Sequence, residues 1–374
     1  MRASAEDRER LLDKFVRFCE IESASTRERA MADAVIAELR AMRLEEVEED
    51  DTSSETGSNA GNVFARIPGP EGSRTLLLCA HMDTVPLAAP IEVVREEGVL
   101  RNRNEGILGA DNKAAVATIL VAARRLVREG PPVGLELLFT TCEEPGLRGA
   151  KAFDVGRLDS EFGFVFDHAT PIGELVVAAS TYYKVEADFR GAAAHAGIRP
   201  EDGRNAIAAA AAAIRAMPMG RIDNETTANV GRIEGGTAAN VVPERCRIEV
   251  ETRSLDDDKA GDMVGKLVDV IAEAASDAEC DVETSVARQF RAYRLPRTAP
   301  PVEIASTALR SVGVEPVYRT SGGGSDAHAL GAAGLQVLNV ANGTERNHEP
   351  DEQVTEHALQ TMLDVTLGIV QAAA

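Results

Sequence analysis

Four short aliphatic runs constrain this chain more than any other feature, because three lead directly into an acid or a histidine and the fourth reaches one through a short loop. They are TLLLCA (75–80), LELLFTTC (135–142), FGFVFD (162–167) and LQVLNVA (335–341). Uninterrupted apolar runs of this length suit strands buried on both faces, as in a largely parallel sheet covered by helices. Helical segments alternate with them. Residues 5–20 carry Leu11, Leu12, Phe15, Val16 and Cys19 at mixed spacings of three and four, and 27–43 carry Ala30, Val35, Ile36, Leu39 and Met42 in the same way. The segment 113–129, KAAVATILVAARRLVRE, is a third helix. The stretch EEVEEDDTSSETGSNAG reads as a loop, acidic at first and then small and polar. Together these elements predict an α/β layer fold.

The middle of the chain has a different period. KVEADFRG (184–191) and RIEVETRS (247–254) alternate polar and apolar residues, as strands with one wet face do. With an Ala-rich helix at 205–216, a strand at 226–234, a helix at 258–277 and a strand at 281–288, the order is β-α-β-β-α-β, the ferredoxin-like pattern. A chain of 374 residues is long enough for two domains. The expectation is an α/β domain with a mixed, largely parallel sheet over 1–177 and 292–374, and an inserted ferredoxin-like α+β domain over 178–291.

Chemistry concentrates where the apolar runs stop. His81 and Asp83 follow the first run, Glu143 and Glu144 the second, and Asp167 and His168 close the third. His348 lies a short loop after the fourth, and Asp111 sits at the mouth of the 113–129 helix in GADNKAAVA. Ligands of open α/β sheets bind beyond the carboxyl ends of the strands. Singly, each cluster is also what a surface pair, a solvated loop or a helix cap gives. Jointly, two histidines and at least three carboxylates suit two divalent cations with mixed nitrogen and oxygen ligands.

Charge and cysteine usage narrow the classes. With 40 Lys and Arg against 61 Asp and Glu, the formal charge is −21, which argues against binding to nucleic acid or to an anionic membrane surface. No apolar run approaches the ~20 residues of a membrane span. MRASAEDRERLLDKF lacks the apolar stretch of a secretory signal. Five scattered cysteines argue against a disulfide framework, and a reducing cytoplasm is expected. Aromatics are 4% with no Trp, so the core must be aliphatic and alanine-rich.

HMDTVP (81–86), GADNKAAVA (109–117), TTCEEPGLRGAK (140–151), FDH (166–168), RGAAAHAG (190–197), GGTAANVVPERC (235–246) and NHEP (347–350) resemble, in order and spacing, the M20 family of di-zinc peptidases. FDHATPIGELVVAAS and SGGGSDA are most similar to its peptidase T-like branch. The resemblance implies a catalytic domain with an inserted lid domain through which a homodimer could form. It implies two zinc ions, with cobalt or manganese as alternatives. His81 and Asp167 would bind one, Glu144 and His348 the other, and Asp111 would bridge them. Asp83 would accept the second ring N–H of His81. Glu143 would be the general base for the metal-activated water, and His195 would donate to the oxyanion. Asn240 and Arg253 would hold polar groups of a small peptide, Arg253 by forking onto its carboxylate. Asp326 is the acid expected to pair with a substrate ammonium. The implied activity is aminopeptidase cleavage of short peptides, tripeptides foremost. The alternative is an N-deacylase or carboxypeptidase-like amidohydrolase acting on N-acyl amino acids. A short interval between His81 and Asp111 departs from peptidase T itself and bears on which peptides fit.

Overall fold

The aliphatic runs form the centre of a mixed sheet. The structure, a computed structural model, describes residues 2–374. The chain divides into two units: one runs to Val177 and resumes at Arg294, and the other is Ala178–Tyr293.

In the first unit, Gly134–Thr140, Thr75–His81, Phe162–His168 and Gln336–Ala341 lie side by side in parallel. Antiparallel strands extend this block on both sides, giving nine strands among the described residues. Register aligns the carboxyl ends: His81 is opposite Thr140, and Ala341 is opposite His168. Four consecutive strands therefore release their polar residues at one edge of the sheet. Ala110–Glu129 is buried along most of its length, and its alanines allow close approach to its neighbours. Its start is set by Gly109, whose φ of 71° lies in the left-handed region that favours glycine. Ala5–Cys19 begins with a capping box, in which Ser4 and Asp7 satisfy each other's backbone N–H groups. Phe15, Phe18, Leu39 and Leu76 are fully buried, and each such side chain contributes about 1.5–3 kcal/mol over its exposed state.

The second unit is antiparallel throughout. Its strands stand in the order Gly220–Arg221, Thr226–Gly235, Arg245–Ser254, Thr181–Arg190, Asp281–Phe290. Helices Ala206–Ala216 and Asp257–Asp277 pack on one face, where Val185, Ala187, Phe189, Ile248 and Val250 meet Ala209, Ala213, Leu267 and Ile271. The alternating residues on the other face stay partly wet, as period two requires.

Two features depart from the sequence expectation. The acidic stretch after residue 44 is not all loop: Val47–Glu49 pairs with Val63–Ile67, and Ser53–Thr56 makes one helical turn. A four-stranded sheet also appears, in the order Thr344–Glu345, Gln353–Thr355, Val99–Asn102, Val93–Glu96. Its strands are two to four residues long, too short for a period to show. Among the described residues no helix is long and apolar enough to cross a membrane. All five cysteines are buried as free thiols.

Candidate metal centre

The aligned strand ends of the first unit bring five of the expected ligands together. His81 Nε2 lies 3.2 Å from Asp111 Oδ1 and 3.4 Å from Asp167 Oδ1. His348 Nε2 lies 3.0 Å from Glu144 Oε1 and 3.4 Å from Asp111 Oδ2. Asp111 thus turns one carboxylate oxygen to each histidine. His81 with Asp111 and Glu144, and His81 with Glu143 and Asp167, form groups whose ligand atoms lie within 4.8 Å of one another. Such a set of imidazole nitrogens and carboxylate oxygens fits divalent cations.

Local structure explains the aim of each side chain. His81 Nδ1 faces the Asp83 backbone carbonyl at 3.0 Å. A carbonyl only accepts, so Nδ1 carries a proton and Nε2 is the nitrogen turned to the cluster, its lone pair available where a cation takes the place of a second proton. The Asp83 carboxylate is farther from the ring, at 3.5 Å. It instead accepts from the backbone N–H of Glu143 at 2.9 Å and of Glu144 at 3.2 Å, and from the Ser25 hydroxyl at 2.7 Å. Asp83 therefore serves His81 through its backbone and the two glutamates through its side chain. Cys142, with φ 49°, turns the chain sharply at the end of its strand. Buried Glu28 holds that turn by accepting the Cys142 N–H at 3.0 Å.

The charge balance of the cluster also favours a cation. Burial alone would disfavour an imidazolium at His81, yet Asp167, Asp111 and Asp83 hold its pKa well above the ordinary value. Hydrogen bonds to Asp111 and Glu144 push His348 up to about 10. Burial raises Asp167 to about 8, Asp111 and Asp326 adding to the rise against the pull of His81. Burial and then the charge of Asp167 raise Glu143 well above the ordinary carboxyl range. Burial also acts to raise Asp111, but its hydrogen bonds from His348 and His81 outweigh it and hold the group well below that range. A buried anionic cluster that retains protons on neighbouring groups is a set of ligands for which cations and protons compete.

The remaining expected residues fall elsewhere. Asp326 does not present a free carboxylate to a substrate. It is 1% exposed, and its Oδ2 accepts from the Thr140 hydroxyl at 2.5 Å, with the Cys79 thiol at 3.8 Å. The helix Asp326–Ala332 carries it beneath the strand ends, and burial raises it to about 6. His195, Asn240 and Arg253 belong to the second unit. There the His195 and Asn240 loops are paired, with the Ala196 N–H donating to the Asn240 carbonyl at 3.0 Å. His195 Nδ1 accepts from the Gly197 N–H at 3.2 Å, which leaves Nε2 as the protonated, exposed nitrogen. Arg253 lies over the Tyr182 ring at 4.3 Å and pairs with Glu251 at 3.0 Å. It sits at the far end of the strand that begins at Arg245, about 26 Å along at ~3.3 Å per residue. Within the second unit, Arg253 is thus not brought together with His195 and Asn240.

Sequence reasoning missed the supports. The Asn112 amide donates to Asp167 Oδ1 at 3.3 Å, and Asn339 accepts the Asp167 N–H at 3.1 Å. Glu352 binds the backbone around Asp111. Asn112 and Glu352 lie inside motifs already singled out or just beyond them, so adjacency to a ligand was the available signal.

A model of the peptidase family M20/M25/M40 matches residues 77–372. The uncharacterized protein YqjE of Bacillus subtilis is 36% identical over 366 residues, 98% of each chain. The crystal structure of the aminopeptidase PepT from Bacillus cereus is similar with a TM-score of 0.88 at 35% identity. That of a tripeptidase from Staphylococcus aureus is similar with a TM-score of 0.92 at 29% identity. Each of these two similarities covers 98% of both chains.

Proposed function

We propose, starting from the fact that the chain belongs to the peptidase family M20/M25/M40, that it is a metal-dependent aminopeptidase acting on short peptides, tripeptides foremost. The observation that carries the metal dependence is the Asp111 carboxylate, whose two oxygens face different histidines. His81, Asp111 and Asp167 would hold one cation, and Asp111, Glu144 and His348 a second. Bound zinc, or cobalt or manganese in its place, would polarise the scissile carbonyl and acidify the attacking water.

The chain's own residues do the rest. Glu143 stands beside His81 and Asp167 without being needed as a ligand, and it takes the proton of the attacking water. It then delivers that proton to the leaving amine nitrogen. Asp83 holds the Glu143 and Glu144 backbone amides, which keeps the base and a ligand in fixed relation. His195 donates from Nε2 to the developing oxyanion, and Asn240, on the loop paired with it, holds substrate polar groups.

The choice of substrate rests on likeness to the aminopeptidase from Bacillus cereus and the tripeptidase from Staphylococcus aureus. It is tested by following amine release from free tripeptides, N-blocked tripeptides and N-acyl amino acids, with the protein stripped of metal and then reloaded. Free tripeptides should be cut only by the reloaded protein, and blocking the amino group should abolish cleavage. Faster hydrolysis of N-acyl amino acids would select the amidohydrolase reading instead.

A further inference from the structure

Glu352 is 1% exposed, yet among the described residues no cationic side chain is bonded to it. Its carboxylate is spent entirely on backbone. Oε1 accepts the N–H of Asp111 at 2.9 Å. Oε2 accepts the N–H groups of Leu108 and Gly109, both at 2.8 Å. Three donors on one short loop converge on one buried acid, and that loop ends at the residue whose carboxylate faces both histidines.

The acid comes from the other ligand-bearing loop. Glu352 is four residues beyond His348 and immediately precedes the strand Gln353–Thr355, which pairs with Val99–Asn102. The small sheet thus sets the segment leading to Asp111 beside the segment leaving His348. The His348 loop is itself a tight turn, with Arg346 and His348 both at positive φ and the Glu352 N–H donating to the Glu349 carbonyl at 3.1 Å. On its other side the Asp111 loop is held by Asn102, whose amide donates to the Ile107 carbonyl at 2.9 Å. Without Glu352, the amides of Leu108, Gly109 and Asp111 lose their shared acceptor, and only the short strand pairing and the side-chain contact at the cluster would hold Asp111 beside His348.

We infer that Glu352 is a positioning residue that locks the Asp111 loop to the His348 loop and so builds the metal position shared by Asp111, Glu144 and His348. The inference rests on the reading above that these three residues hold a metal. Both oxygens of Glu352 accept, so a glutamine cannot replace it. In either orientation its NH2 group opposes a backbone N–H. A merely structural acid would lower melting temperature when altered but would leave metal affinity alone.

The test compares wild type with E352Q, each stripped and titrated with zinc against a chelating indicator dye, with cobalt absorption spectra and tripeptide kinetics alongside. The expected result for E352Q is the position at His348 weakened about 10–100-fold, the usual range for losing a group that orients a ligand, and the position at His81, which shares Asp111, weakened less. The cobalt spectrum should change, and kcat should fall at limiting zinc with KM unchanged and recover in excess zinc. Wild-type affinity at both sites in E352Q overturns the inference. Failure of the wild type itself to bind metal overturns the functional reading instead. Should E352Q not fold, hydrogen exchange in the wild type decides. Slow exchange of the Leu108, Gly109 and Asp111 amides in the metal-free protein supports the lock, and exchange at the rate of an open loop overturns it.

Discussion

The two units use the same residue types in opposite ways. On the wet face of the second unit, acids and bases interleave. Lys184 lies 2.8 Å from Glu186 and 2.9 Å from Glu249, and Arg247 lies 2.9 Å from Glu186. These charges have opposite partners and access to water. At the strand ends of the first unit, Asp83, Asp111, Glu143, Asp167 and Asp326 crowd together with two imidazoles, and Asp83 and Asp326 are almost wholly buried. Exposed pairs contribute little net energy, whereas buried charges need a partner of matching strength. Charge density alone therefore does not mark a site. What marks it is acidity gathered away from water without equivalent basic side chains.

If that contrast is right, the largest effect should come from the buried cluster and fall on activity. Glu143→Gln should lower turnover by about 10²–10⁴, the range for losing general acid–base help. Zinc binding, followed by dye competition, should stay near normal. Near-normal turnover would return Glu143 to the structural residues.

The second unit has one proposed exception to its structural use of polar groups. His195→Ala should reduce kcat about 10²–10³-fold, as removal of an oxyanion donor does. Metal affinity and melting temperature should be unchanged, because the ring's one described bond is to the nearby Gly197 N–H. An unaltered kcat would make the second unit electrostatically passive.

A smaller effect is expected beneath the cluster. Thr140→Val removes the hydroxyl that Asp326 accepts and leaves mainly the weak Cys79 thiol. Equilibrium unfolding should show a loss of about 1–3 kcal/mol, the cost of an unsatisfied buried group. No loss would mean that Asp326 finds another donor.

The smallest effect belongs to the wet ladder. Lys184→Met should change stability by no more than about 1 kcal/mol, since Arg247 still faces Glu186 and Arg232 still reaches Glu249 at 3.4 Å. A larger loss in denaturant titration would show that the ladder acts as a network.

The contrast also separates what the sequence made legible from what it hid. Period-two strands and unbroken aliphatic runs carry the two fold types because each expresses its own burial pattern over many residues. His81, Glu144 and Asp167 stood out because they close or follow apolar runs, Asp111 because it opens a helix and His348 because a short loop joins it to a run. Their assignment as ligands came from the family resemblance. Glu352 and the small sheet were not readable, because they depend on segments about 250 residues apart in sequence meeting over strands of two to four residues. Asp326 misled for a related reason. An acid after SGGGS looks like a loop residue facing solvent, and only the placement of its helix under Thr140 and Cys79 reveals a buried one.

The five thiols offer a way to time the opening of each unit. Burial raises all of them above the ordinary thiol range, Cys142 to about 12. An alkylating reagent therefore meets a reactive thiolate chiefly when the chain opens locally. Cys19, Cys79 and Cys142 belong to the first unit and Cys246 and Cys280 to the second. Mass-resolved labelling under native conditions would thus run as two internal clocks in one polypeptide. Adding zinc should slow the clock at Cys79 and Cys142, next to the ligands, while leaving the clock at Cys246 and Cys280 running at its original rate.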